Sequence, residues 1–365
     1  MRIAQVAPLY ESVPPRFYGG TERVVSWLTE RLVKLGHDVT LFASADSVTN
    51  ARLISPCKKA LRLDANCVDP LPHHVLMVEE VFDRAEEFDL IHFHIDYLHF
   101  LRSRQAALPC LTTLHGRLDL PDLAPLYKEF RELPLVSISD AQRKPLPWAN
   151  WAGTVYHGMP KQLLTFNESS GDYLAFLGRV SPEKGLDRAI QIAIGSGMKL
   201  KIAAKVDRAD QEYFDAKVKP MLEHPLVEFV GEIGNDEKQE FLGNAAALVF
   251  PIEWPEPFGL VMIEAMACGT PVIAYPFGSV PEIVCDDLSG YIVRSVEEAV
   301  AAVSRIRELD RHLCRQHFDQ NFTDEQMAKN YLDIYQRLMH PESAGVVEEG
   351  ILNWMEVESQ TPSTT

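Results

Sequence analysis

The sequence predicts an α/β protein built as two facing, doubly wound domains. Short apolar runs alternate with amphipathic stretches from end to end, the pattern of parallel sheets covered by helices on both faces. The alternation falls into two series, separated by the polar stretch Phe166-Asn167-Glu168-Ser169-Ser170-Gly171-Asp172. The chain has 365 residues. A single core usually stops growing below that length, so two domains of roughly 150 residues each are expected.

In the first series the predicted strands are residues 2–7, 39–43, 90–94, 111–114, 135–138 and 154–156. A helix over 21–35 joins the first two and stops at Gly36, a residue suited to the position just past a helix. In the second series the strands are 173–177, 200–204, 227–230, 247–250 and 271–274, with 291–293 as a late edge, and helices over 181–196 and 258–268 fall between them. Residues 324–338 place Met327, Tyr331, Ile334, Tyr335 and Leu338 on one helical face. The expected organisation is a first domain over 1–160, a second over 161–322, a helix over about 324–340 that packs back on the first domain, and a disordered tail over 341–365.

Composition narrows the function. Hydrophobic residues make up 46% and charged residues 24%, an ordinary globular balance that rules out low-complexity and collagen-like chains. Lys and Arg total 35 against 52 Asp and Glu, a formal charge of −17. Broad neutralisation of nucleic-acid phosphates is therefore not expected, although a local basic pocket for one small anion is compatible with it. Cys57, Cys67, Cys110, Cys268, Cys285 and Cys314 are scattered without any C-x-x-C, which reads as free thiols in a reducing compartment. Residues 2–7 read as a strand straight after Met1, with no apolar leader, and no run reaches the roughly 18 apolar residues of a membrane span. A cytoplasmic protein is expected, with peripheral membrane contact left open.

Two facing α/β domains make a cleft, where small ligands bind at the carboxyl ends of parallel strands. Neither G-x-G-x-x-G after the first strand nor a G-x-x-x-x-G-K-[ST] loop is present, so dinucleotide and P-loop chemistry are disfavoured. One cluster lies around Glu256-Pro257-Phe258-Gly259-Leu260, with Glu264 eight positions after Glu256. A helix opening at Pro257 would leave the N–H groups of Phe258, Gly259 and Leu260 free at its N-terminus and put both carboxylates on one edge. Carboxylates accept from neighbouring hydroxyls, so this edge suits a ligand that carries hydroxyl groups. A second cluster, Gly178-Arg179 to Glu183-Lys184-Gly185, brings two cations to a strand-to-helix turn. Such a pair is suited to a diphosphate and can neutralise a leaving nucleotide without a metal.

These clusters, with Ala265-Met266-Ala267-Cys268-Gly269-Thr270-Pro271 behind them, resemble the retaining glycosyltransferases of family four, which have the two-Rossmann-domain GT-B architecture. The resemblance covers the chain to about Leu338. It implies that Arg179 and Lys184 hold the donor diphosphate, that Glu264 holds the ribose hydroxyls, and that Glu256 with the backbone of Phe258, Gly259 and Leu260 holds the donor sugar. Tyr18-Gly19-Gly20-Thr21-Glu22 matches the family's glycine loop near the donor phosphates, and His115 matches a histidine near the donor sugar. Gly231, Glu232 and Ile233 are expected at the base, and His94 and Asp96 on the acceptor side. His92 and His94 share a strand face, which could suggest a metal, but no third ligand is evident and hydrogen-bonded histidines are the favoured reading. The chain departs from the family at His157-Gly158-Met159-Pro160, where Asn-Gly-Ile or Asn-Gly-Val is common, and at Gly278-Ser279, where Gly-Gly is common.

The expected function is metal-independent, retaining transfer of a hexosyl unit from a nucleotide-diphosphate sugar to a hydroxyl acceptor, with UDP favoured over GDP and no cofactor. An epimerase, a hydrolase or a non-catalytic nucleotide-sugar-binding protein is the alternative on the same fold. A hydrolase needs carboxyls about 5 to 9 Å apart across the scissile bond. Two glutamates on one helix straddle a bond poorly.

Overall fold

The computed structural model describes residues 1–16 and 19–340; Tyr18 and the tail over 341–365 lie outside the described residues. Strands β1 (Arg2–Val6), β2 (Asp38–Phe42), β3 (Arg52–Ile54), β4 (Leu90–Phe93), β5 (Cys110–Thr113), β6 (Leu135–Ser137) and β7 (Trp151–Thr154) form one parallel sheet in the order β3-β2-β1-β4-β5-β6-β7. Strands β8 (Tyr173–Arg179), β9 (Lys199–Lys205), β10 (Val227–Gly231), β11 (Ala247–Phe250), β12 (Val272–Ala274) and β13 (Gly290–Ile292) form a second parallel sheet, ordered β10-β9-β8-β11-β12-β13. Central strands such as β4 and β11 are buried at every residue, which is why β11 reads as an unbroken apolar run and β4 as one interrupted only by His92. In both sheets the strand order reverses beside the first strand, between β1 and β4 and between β8 and β11. Crevices at the carboxyl ends of such strands are where α/β sheets bind ligands.

Four elements differ from the sequence reading, and one is the strand expected over 154–156, which runs over Trp151–Thr154. The strand β3 was not expected, being a three-residue edge strand with no buried residue. The helix expected over 181–196 is a 3₁₀ turn, Pro182–Lys184, and a helix, Leu186–Ser196, separated by Gly185 at φ 71°. The helix expected over 258–268 runs over Leu260–Ala267, with Gly259 before it at φ 79°. Pro257 and Phe258 precede that helix, so Pro257 does not occupy its first turn and Glu256 is not a helical neighbour of Glu264.

The chain crosses between the sheets twice, and the crossings run side by side. The Met159 N–H donates to Phe322 O at 2.9 Å, and the Asp324 N–H donates to Met159 O at 3.0 Å. A Cβ on Gly158 would lie 2.1 Å from Thr323 O, so the close approach requires glycine there. Past the crossing, helix Asp324–Met339 lies on helix Gly20–Lys34, fixed by Arg31, whose Nε and Nη2 donate to Asp324 at 2.8 and 2.9 Å. Its buried face is Met327, Tyr331, Ile334 and Tyr335, as the periodicity predicts. A single apolar cluster continues from Ile3 and Leu28 through Tyr331 and Phe322 to Phe258 and Met262.

Candidate active site

A cavity of about 1320 Å³ opens between the carboxyl ends of the two sheets. The first domain contributes Gly19, Gly20, His94, Asp96 and His115 to its wall. Gly178, Arg179 and Lys184 face them from the second domain, with Glu256 and Glu264 beside Phe258, Gly259 and Leu260. Glu232 and Ile233 line the far end, while Gly231, at φ 93°, turns the chain behind them and is not part of the wall.

The phosphate side is built on the end of β8. Arg179 is the last strand residue, with Nη2 3.3 Å from Glu183 and Nη1 3.7 Å from Asp207, and its Nε has no hydrogen-bond partner among the described residues. Lys184, at the end of the 3₁₀ turn, pairs with Glu256 and sits 4.9 Å from the ring centroid of Trp254. The indole N–H of Trp254 donates to the same Glu256 oxygen at 3.0 Å. The loop after β12 supports this segment, because Ser279 N–H donates to Glu256 O at 2.9 Å and Ser279 Oγ to Phe258 O at 2.8 Å. Gly278 packs so closely there that a Cβ would lie 2.2 Å from Glu256 O. The Gly278-Ser279 departure therefore leaves a loop that braces the Glu256 segment.

Glu264 reaches the cavity from the first turns of helix Leu260–Ala267, almost wholly buried. Its Oε1 accepts from Lys238 Nζ at 2.6 Å. Lys238 and Trp254 were both missed in the sequence: the lysine reads as a solvated helix charge, and the indole as ordinary core.

Two family profiles divide the chain between them. The profile of Glycosyltransferase Family 4 matches residues 18–181, and that of Glycosyl transferases group 1 matches residues 165–321. The chain is a group 1 glycosyltransferase of the family 4 type. A phosphatidyl-myo-inositol mannosyltransferase of Mycobacterium leprae is 24% identical to it over 356 residues, covering 87% of this chain and 90% of that one. Among solved structures, a sucrose-phosphate synthase from Thermosynechococcus elongatus superposes with a TM-score of 0.76 at 20% identity, covering 93% of this chain and all (100%) of that one. An Anabaena protein crystallised with UDP and glucose superposes with a TM-score of 0.69 at 16% identity, over 91% and 98% of the two chains. Both likenesses confirm the GT-B fold.

The first-domain wall of this glycosyltransferase is a connected polar network. Both ring nitrogens of His92 are engaged within the protein: Nδ1 lies 2.8 Å from Tyr335 Oη and Nε2 2.8 Å from Thr113 Oγ1. Among the described residues no cluster of three His, Cys, Asp or Glu is placed to hold a metal ion. His94 donates from Nε2 to Gln5 Oε1 at 2.8 Å, and its Nδ1 lies 2.9 Å from His115 Nε2. Burial holds His92 and His94 well below the ordinary imidazole range and His115 at about 3. A neutral ring has one donor and one acceptor, so His94 Nδ1 accepts and His115 Nε2 donates. With both nitrogens engaged inside the protein, His94 orients His115, which also stacks on His157 at 5.2 Å between centroids. Asp96 stands just past β4 at φ 52°, its surface exposed where it lines the cavity, and desolvation within the cleft pushes it up to about 6. Glu22, in the first turn of helix Gly20–Lys34, also lines the cavity and is pushed up to about 6, again chiefly by burial.

Proposed function

We propose that the protein is a retaining hexosyltransferase that moves a hexosyl unit from a nucleotide-diphosphate sugar to a hydroxyl acceptor, using no metal, and that UDP-hexose is favoured over GDP-hexose as donor. The observation that carries this reading is the meeting of Arg179, Lys184, Glu256 and Glu264 in one cleft with first-domain groups opposite them. Arg179 and Lys184 stabilise charge on the departing diphosphate, a contribution typically worth about 10²-fold or more for a well-placed donor. Glu264 accepts from the ribose hydroxyls. Glu256, with backbone N–H groups of Phe258, Gly259 and Leu260, orients the hexose.

In this reading the bond from the anomeric carbon to the β-phosphate oxygen breaks as the acceptor oxygen approaches on the same face of the sugar. The acceptor proton passes to the departing phosphate, and the new glycosidic bond keeps the donor's configuration. His115 stands near the hexose, and Asp96 on the acceptor side. Closure of the domains about the crossing at Met159 and Thr323 would complete the site and exclude water. UDP comes first because the Anabaena structure of the same fold was crystallised with it. No helix among the described residues is long and apolar enough to cross a membrane. We place the protein in the cytoplasm, and the buried thiols of Cys110, Cys268 and Cys314 suit that reducing setting.

The test is a panel of nucleotide sugars screened for protection against thermal unfolding and then for transfer in EDTA. A ligand at 100 times its dissociation constant stabilises by about 2.7 kcal/mol. Turnover that stops in EDTA and returns with magnesium or manganese would overturn the metal-free part. Protection by no nucleotide sugar would overturn the donor part.

A further inference from the structure

Lys238 is the feature of the cleft that the donor scheme above leaves without a task. It stands on helix Asn235–Gly243, just after the Glu232-Ile233-Gly234 segment that lines the end of the cavity. Helix surfaces normally send lysines to water. This one turns inward, with its side chain only 17% exposed, and lines the cavity. Its Nζ meets Glu264 Oε1 at 2.6 Å, and the Glu264 side chain is 6% exposed. Among the described residues Glu264 has no other side-chain hydrogen-bond partner, and Oε2 is left for a ligand. Removing one member of so buried an ion pair leaves the other charge uncompensated, which is far costlier than losing an exposed pair.

We propose that Lys238 is a positioning residue for the nucleotide: it holds Glu264 by Oε1 so that Oε2 faces the ribose hydroxyls, and selectivity for ribose over deoxyribose depends on it. This inference rests on the assignment of Glu264 to the ribose. The physical reason is preorganisation. A carboxylate on a free side chain must be ordered each time a ligand binds, whereas one fixed by a charge-assisted bond has already lost that freedom. An ammonium group that gives one of its three N–H donors to Oε1 fixes the carboxylate plane without occupying the second oxygen. A hydroxyl bonded to a charged acceptor is worth enough to change affinity by about 10- to 100-fold.

The experiment compares UDP with 2′-deoxy-UDP, and GDP with 2′-deoxy-GDP, by calorimetric titration of the full chain. Wild type is expected to prefer the ribonucleotide by about 10-fold or more. In Lys238→Met that preference should fall below about threefold, and in Lys238→Arg, which keeps a cation in reach, it should return. Thermal unfolding of each variant checks the fold, and Lys238→Ala carries the test if Lys238→Met does not fold, with the same loss of preference expected. A preference for ribose unchanged in folded Lys238→Met or Lys238→Ala would overturn the role of Lys238. Wild type that binds ribo- and deoxyribonucleotide equally would overturn the ribose assignment of Glu264. Wild type that binds neither diphosphate would overturn the donor reading itself.

Discussion

Lys184 and Glu256, 72 residues apart in the chain, are joined in the cleft by an ion pair, and Trp254 donates its indole N–H to the same carboxylate oxygen. The cation proposed for the diphosphate and the carboxylate proposed for the hexose thus form one ion pair. The pair leaves Arg179 as the neighbouring cation, itself held loosely between Glu183 and Asp207.

Replacing Lys184 by Ala is expected to lower kcat by about 10²- to 10³-fold, because negative charge on the leaving diphosphate loses a preorganised partner. Arg179→Ala should act in the same direction. Steady-state rates at saturating donor, measured with and without added magnesium, check both. A rate in Lys184→Ala that matches wild type would remove the residue from leaving-group stabilisation, and a rate restored by magnesium would show that a metal can take its place.

Glu22 gives a prediction on stability. Its carboxyl is pushed up to about 6 from an ordinary 4.5, so the folded state holds the proton more tightly than the unfolded state does. Stability from this group is present below pH 4.5 and is lost as pH rises to about 6. The shift corresponds to roughly 2 kcal/mol. Glu22→Gln, which keeps the shape and cannot ionise, is expected to be more stable than wild type by that order above pH 7 and equal to it below pH 4.5. Calorimetric melting at pH 4.2 and pH 7.5 reads this directly; a stabilisation equal at both values would contradict the assignment to ionisation.

Glu282 connects the domains beside the cleft. From the second domain its carboxylate accepts from the N–H groups of Asp140 and Ala141, both at 2.7 Å, and from Tyr156 Oη at 3.1 Å. Glu282→Ala is expected to loosen this contact and widen the distribution of domain angles, seen as a larger radius of gyration by small-angle scattering without nucleotide. Saturating nucleotide should draw the variant back toward the wild-type value. Superimposable curves for the two proteins without ligand would show that the contact does not set the angle.

The sequence made the scaffold legible because buried parallel strands cannot alternate. The runs Leu90-Ile91-His92-Phe93 and Ala247-Leu248-Val249-Phe250 announce themselves as central strands, and β3 escapes because Arg52, Leu53 and Ile54 form a short, half-exposed edge. Helix Leu260–Ala267 starts later than Pro257 signals, because Gly259 takes up the left-handed region just before it, a conformation that the residue order does not specify. At the site, residues at a strand end or a turn, such as Arg179, Lys184 and Asp96, could be placed from local pattern. Their partners could not: Lys238 and Glu264 meet across two helices, and His94 meets His115 across adjacent strands. Such pairings are properties of the packed domain, and the residue types alone do not specify them.

The central claim, transfer with retention, is tested most directly by following the first sugar released from a nucleotide α-glucose donor by proton NMR, in EDTA, with water as acceptor. Front-face departure and attack require the released glucose to appear first as the α-anomer, with a small anomeric coupling, before mutarotation mixes the forms. First appearance of the β-anomer, with a large coupling, would place a general base on the opposite face of the sugar and contradict the proposed mechanism.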